Sequence, residues 1–402
     1  MHRQEQIDHI ARDCVYFKGD TPCMPHRKSG ATCRCPLYAP RGAKLLVIQL
    51  GDVEALIHTS ALLRRLREDH PSSHLICLSH APELVADLVD ESLGCDGASL
   101  ARLQVDQFDA IYNLNISRRA CALSNLLQAD QKKGYYLRQG LPTPSDSDAH
   151  ASYLLATFPG SIAPDKRPGP VRRLFDLCGL EYRLERTRLQ ADPSQSVLSL
   201  YDAPVVGLYT LRQSGDEPYF WEESRWQDLA DRLAQQGATI VLLGDEEAEF
   251  YNHEIEHKCP AIAVTNGDLF TLVQDLVACD VVVCTPGRVA ELSVALGRQV
   301  VLLPDEQAAH GKLEHHGSRV HLIDPPDSDP AVPLEDLLPD KVARQVNRVI
   351  EQLPARTKQQ PAQPQSSAPA REGVSGESST ENDAALSSPQ YPVQYPVQFQ
   401  QP

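Results

Sequence analysis

No stretch of this chain stays apolar for the roughly 20 residues that a membrane-crossing helix needs. The opening MHRQEQIDHIARD also lacks the apolar region of a secretory signal. Together these absences lead to the expectation of a cytoplasmic protein without a transmembrane segment, any membrane association being peripheral at the inner face of the cytoplasmic membrane. Positive charge is scarce as well. Lys and Arg number 38 against 54 Asp and Glu, a net charge of −16, and all but one unit of it lies before residue 355. That balance excludes generic nucleic-acid binding, and it excludes electrostatic adhesion to an anionic membrane surface unless a local basic patch exists. Regular metal-binding cysteine pairs are missing too: of eleven cysteines, the four in the first forty residues (Cys14, Cys23, Cys33, Cys35) are irregularly spaced and end in C-x-C rather than C-x2-C.

The chain does have length, 402 residues, enough for two domains each with its own core. Hydrophobic residues at 42% and charged residues at 23% are ordinary for a globular protein. The stretch KLLVIQLGDVEALIHTSALLRRL, Lys44 to Leu66, reads as an apolar strand, a turn at Gly51 and Asp52, and apolar residues at helical spacing. Such a strand, turn and helix open a doubly wound α/β domain, and the unpaired N–H groups of the helix start suit an anion.

Five further segments follow from the pattern. Residues 1–43 form a polar, Cys-rich extension in which the four cysteines, with His26 between them, either wrap a structural zinc or remain free thiols on an arm. Residues 44–160 alternate strands (Leu45–Leu50, His74–Leu78, Ala110–Asn113, with Gly134–Leu137 as an addition) and helices (Leu56–Glu68, Pro82–Val89, Arg118–Ala129), the pattern of a parallel sheet covered on both faces. Prolines break up 161–202, the connection. A second alternating series fills 203–353, from strand Val205–Tyr209 through helices Glu223–Gln235 and Glu246–His257 to an amphipathic closing helix over Leu334–Leu353. Residues 354–402, rich in Pro, Gln and Ser, cannot offset their ordering entropy and are expected to be disordered. Cys77, Cys121, Cys178, Cys279 and Cys284 lie inside apolar segments and read as reduced core thiols.

Several segments resemble glycosyltransferase family 9, the ADP-heptose:lipopolysaccharide heptosyltransferases: the Lys44–Leu66 stretch, FDAIYNLNISRRACALSNLLQADQKKGYYL, WEESRWQDLADRLAQQGATIVLLGDEEAE and CDVVVCTPGRVAELSVALGRQVVLL. The Cys-rich opening is similar to an extension on some members. The resemblance implies a GT-B architecture, two Rossmann-like domains facing a cleft. It also implies inverting, metal-independent transfer of a sugar such as heptose from an ADP-sugar to a lipopolysaccharide-core or other glycan acceptor. The family's catalytic base is the Asp of a Gly-Asp pair. Aligned without a gap, that pair falls on Glu54 and Ala55; shifted by three residues it falls on Gly51 and Asp52. Asp52 or Glu54 is then the candidate base, while Asp52 is equally a helix N-cap. The family's G-D-T-x-x-x-H donor motif falls on Thr285, Pro286, Gly287 and Glu291, leaving Thr285, Gly287 and Arg288 to receive phosphate beside a repulsive Glu291. Gly207, Thr210 and Gly244 are expected to line the cleft, and Arg212 is the nearest cation where the family has a lysine and this chain has Tyr219. These departures leave two readings: a heptosyltransferase-like enzyme, or a catalytically inactive relative that binds nucleotide or glycan as a scaffold.

Overall fold

Leu45 to Gln49 are all buried because β1 (Lys44–Gln49) runs through the middle of a sheet covered on both faces. The computed structural model describes residues 10–354 apart from 20, 34, 147–149, 164–165, 212–220, 245–251, 253–254, 256–262, 266, 305–318 and 324–336. The tail, Arg212, Tyr219 and most of the helix expected over Glu246–His257 lie outside the described residues. From β1 the chain continues through α1 (Val53–Asp69), β2 (His74–Ser79), β3 (Glu91–Gly94), α2 (Gly97–Val105), β4 (Gln107–Asn113), α3 (Arg118–Leu126), β5 (Gln128–Arg138) and β6 (Leu141–Pro144). The sheet order is β3-β2-β1-β4-β5-β6, parallel except for the final β5–β6 pair.

Alternate residues of these strands enter different cores, as a period of two requires. Leu46, Ile48, Ile76 and Leu78 pack on one face. Leu45, Val47, Leu75 and Cys77 pack on the other, against Leu62 and Leu66 of α1. Two expectations are corrected here. The helix expected to reach Ala129 ends at Leu126, because Gln128 already pairs with Gln107 as β5 begins. The suggested strand over Gly134–Leu137 is the second half of that eleven-residue strand. Gly134 is required at its middle: φ is +91°, and a Cβ there would stand 2.0 Å from the Asn113 carbonyl oxygen. At that point β5 leaves β4 and takes up β6.

After α4 (His150–Thr157) and α5 (Pro170–Cys178), an extended connection crosses to the second half of the molecule. It is bonded to both halves: Arg188 N donates to Ser60 Oγ of α1 at 3.1 Å, and Leu189 N donates to Ala295 O at 3.0 Å. The second sheet comprises β7 (Val205–Leu208), β8 (Thr239–Leu243), β9 (Ala263–Thr265), β10 (Val281–Cys284), β11 (Gln299–Leu302) and β12 (Val320–Leu322), in the order β12-β11-β10-β7-β8-β9. Counted from its own first strand, that order is 3-2-1-4-5-6, the same as in the first sheet, and all its pairs are parallel. Its helices are α6 (Glu223–Gln235), α7 (Leu269–Ala278), α8 (Arg288–Ala295) and the closing α9 (Pro339–Glu351). The chain is thus α/β, with two Rossmann-like sheets. One apolar cluster runs unbroken from β1 through α1 to Val289 and Leu292 of α8 and on to Val282 and Val300 of the second sheet.

Gly207, expected at the cleft, lies inside this second core. A Cβ there would stand 2.4 Å from Leu243 Cδ1 and 2.9 Å from Cys279 Sγ. Gly207→Ala is therefore expected to lower unfolding stability by about 1–3 kcal/mol through overpacking. Urea unfolding checks this, and an unchanged midpoint would contradict it. The five cysteines expected in the core are all buried, and none is in a disulfide. Burial pushes the Cys77 thiol up to about 12 and Cys121 up to about 11, so neither is a nucleophile.

Candidate functional site between the two sheets

In an open α/β sheet the crevice lies at the carboxyl ends of the strands where the order reverses, here between β1 and β4 and again between β7 and β10. At the first, Gln49 folds the loop after β1 back on itself. Its Oε1 accepts from Gly51 N at 3.0 Å and its Nε2 donates to Thr59 Oγ1 at 3.3 Å. Opposite, fully buried Asn113 donates to Tyr135 O at 2.7 Å and accepts from Asn115 N at 3.2 Å, and Asn115 Oδ1 accepts from Ser117 N at 2.9 Å. These amides hold open a cavity of about 200 Å³ lined by Gln49, Ala55, His58, Asn115, Tyr135 and Arg173, among others. Burial lowers the Arg173 guanidinium from its ordinary value, with Tyr135 nearby opposing the shift, and burial raises the Tyr135 phenol.

Every residue lining the cavity belongs to the first half, and the second half meets one of them, His58, through α8. Glu291, 2% exposed, brings Oε2 to 2.6 Å from His58 Nε2 of α1. Glu291 Oε2 meets no straight hydrogen bond, and both side chains are under one-tenth exposed. The anion expected to repel a donor phosphate is turned toward an imidazole of the other half. Nδ1 of His58 carries no hydrogen bond among the described residues, and His58 lines the cavity.

The two carboxylates singled out in the sequence lie elsewhere. Asp52 is exposed and caps α1, its Oδ1 accepting from Ala55 N at 2.8 Å. Neither Asp52 nor Glu54 lines the cavity, whereas Ala55 does. Removing the cap with Asp52→Ala is expected to cost about 1 kcal/mol of stability. Thermal unfolding checks this, and an unshifted melting curve would sink the N-cap assignment. On the second sheet, Thr285 is buried and donates to Leu211 O at 3.4 Å. Gly287, at φ +150°, makes the turn into α8, and Arg288 is that helix's first residue. The Thr210 hydroxyl donates to Asn252 Oδ1 at 3.1 Å, and Gly244 is buried directly after β8, so both belong to the sheet's own packing.

Cys14, Cys23, Cys33, Cys35 and His26 line one cavity of about 630 Å³. Among the described residues, however, no three His, Cys, Asp or Glu side chains are arranged to hold a metal ion. The structural zinc weighed for these cysteines finds no support among the described residues, where all four are free thiols and the His26 ring bonds Ala31 O through Nδ1 at 2.9 Å. Among the described residues no helix is long and apolar enough to cross a membrane.

Sequence reasoning missed His58 and its cavity neighbours. A single histidine in an apolar helix gave no signal without Glu291, which only the fold brings to it.

No protein-family model and no curated protein sequence matches the chain. Solved structures do match in shape. A glycosyltransferase family 9 protein from Veillonella parvula is 13% identical, with a TM-score of 0.61 over 78% of this chain and 99% of that one. E. coli ADP-heptose lipopolysaccharide heptosyltransferase II is 17% identical, with a TM-score of 0.58 over 77% and 99%. E. coli heptosyltransferase WaaC with ADP-2-deoxy-2-fluoro heptose is 14% identical, with a TM-score of 0.52 over 76% and 99%. The fold is that of these GT-B glycosyltransferases.

Proposed function

We propose that this chain transfers a sugar from a nucleotide-sugar donor, an ADP-heptose-like molecule, to a hydroxyl of a lipopolysaccharide-core or other glycan acceptor, with His58 as the acceptor's base. The observation that carries this reading is the buried His58–Glu291 pair, one partner from each half, at the cavity beside the first switch point.

The chemistry follows from the two ring nitrogens. In the neutral ring with its proton on Nε2, beside the Glu291 carboxylate 2.6 Å away, Nδ1 keeps a lone pair. An acceptor hydroxyl in the cavity gives its proton to Nδ1 as its oxygen attacks the anomeric carbon. The bond from that carbon to the diphosphate oxygen breaks with inversion, and the diphosphate leaves with the electron pair. The backbone N–H groups opening α8 and the Arg288 guanidinium supply positive charge for that departing anion. None of these steps calls on a metal. Gln49, Asn115 and Arg173 offer the amide and guanidinium donors that sugar hydroxyls or an acceptor phosphate require. A membrane-anchored acceptor would bring the protein to the inner face of the cytoplasmic membrane as a peripheral enzyme.

Ala55, standing in the cavity wall where the resemblance puts the family's base, favours a second reading: a nucleotide-binding relative without turnover. ADP release from ADP-heptose in the presence of a heptose-free lipopolysaccharide core separates the two. Release that depends on acceptor supports transfer; micromolar ADP binding without release supports the second reading; neither binding nor release overturns both.

A further inference from the structure

A second, much larger cavity than the one beside His58 lies away from the cleft. It has a volume of about 1040 Å³ and sits where the connection passes between the halves, at the ends of α7 and α8 that point away from the switch points. Val277 and Ala278 end α7, Ala295 ends α8, and Arg298 and Arg319 precede β11 and β12, so this is the amino-terminal edge of the second sheet.

Its walls carry five guanidiniums, Arg64, Arg186, Arg188, Arg298 and Arg319, against one carboxylate, Asp280. In a chain of net charge −16, that concentration of one sign runs against the overall balance. Arg298 is committed to structure: its Nη1 donates to Val277 O at 3.2 Å and Cys279 O at 3.4 Å, and its Nε donates to Leu296 O at 3.3 Å. Asp280 Oδ2 accepts from Val205 N at 2.8 Å. The guanidiniums of Arg64, Arg186, Arg188 and Arg319 enter no ion pair or hydrogen bond among the described residues. Arg64 comes from α1, Arg186 and Arg188 from the connection, and Arg319 from the residue before β12. The connection fixes the spacing of the first three, because Arg188 N is bonded to Ser60 and Leu189 N to Ala295.

We propose that this cavity is a binding site for a polyvalent phosphate anion, distinct from the sugar-transfer cleft. Guanidinium groups recognise phosphate oxygens bidentately, and four arginines lining one cavity from three parts of the chain suit a diphosphate or triphosphate rather than a single carboxylate. An occupant would tie α1, the connection and the second sheet together, and so would stabilise the two halves as one body. The source of the anion is either a free inorganic polyphosphate or the diphosphate of a nucleotide.

The test is calorimetric titration of the full chain with inorganic pyrophosphate and, separately, with ADP. The parent is compared with Arg186→Ser/Arg188→Ser and with Arg183→Ser, a surface arginine of the same connection that does not line the cavity. Pyrophosphate binding that weakens about tenfold or more in the double variant and stays within about twofold in Arg183→Ser is the expected result. ADP following the same pattern identifies a nucleotide source; ADP indifferent to the double variant identifies free polyphosphate. Arg64→Gln/Arg319→Gln is a second pair on different segments and should reproduce the loss. Pyrophosphate binding kept in both arginine pairs, or no binding by the parent, would overturn the proposal. Because the readout is binding of pyrophosphate, it is independent of whether the cleft transfers sugar.

Discussion

His58→Gln is expected to lower sugar transfer by about 10²- to 10⁴-fold, the span that a positioned general base contributes. Glutamine keeps an N–H donor near Glu291 but has no lone pair to take a proton from the acceptor hydroxyl. The variant should therefore unfold at nearly the parent's midpoint and bind ADP as the parent does, losing only turnover. The same reasoning separates His58 from Asp52. Asp52 is exposed, its carboxylate is occupied by the Ala55 N–H, and it is absent from the cavity wall. Asp52→Ala should keep most of its turnover despite the weakened cap. Acceptor-dependent ADP release, measured for both variants at saturating donor, is the check. Full activity in His58→Gln would remove the histidine from the chemistry.

His58→Ala is expected to behave differently, costing about 3–5 kcal/mol of stability because it leaves a buried carboxylate without its partner. Glu291 is only 3% exposed at its side chain and has His58 alone as its partner in the ion pairs of the described residues. The penalty belongs to the stranded charge. Removing that charge as well, in His58→Ala/Glu291→Leu, should recover most of the loss, since apolar replacement of a buried pair is commonly neutral or stabilising. Guanidinium unfolding of parent, single and double variants gives the coupling directly. A double variant no more stable than His58→Ala would mean that the two side chains are not energetically linked across the halves.

Much of the architecture was readable along the chain because burial on both sheet faces writes apolar runs such as Leu45–Ile48 and Val281–Val283 into the sequence. Short or half-exposed elements left no such mark. Strand β3 has no fully buried residue, and the helix Gly97–Val105 buries Leu103 alone. The site was less legible. Asp52 reads as a base or as a helix cap, because an acidic residue opening a helix suits both roles and local sequence cannot separate them. Glu291 was correctly placed on the helix after β10, but its meaning reversed: judged by sequence it was an anion beside a phosphate, and in the fold it is the partner of His58. Gly207 and Thr210 sit at the end of the right strand, yet they serve the packing of β8 and the hydrogen bond to Asn252. The four early cysteines do share one cavity without forming a ligand set, a distinction of side-chain geometry that counting cannot make.

The central claim is that the His58–Glu291 cleft transfers sugar from an ADP-sugar. The most direct measurement is acceptor-dependent ADP release from ADP-heptose by the parent, Asp52→Ala and His58→Gln side by side. The expected result is release by the parent, release within a few-fold of it by Asp52→Ala, and near-complete loss in His58→Gln. Loss in Asp52→Ala with retention in His58→Gln would contradict it.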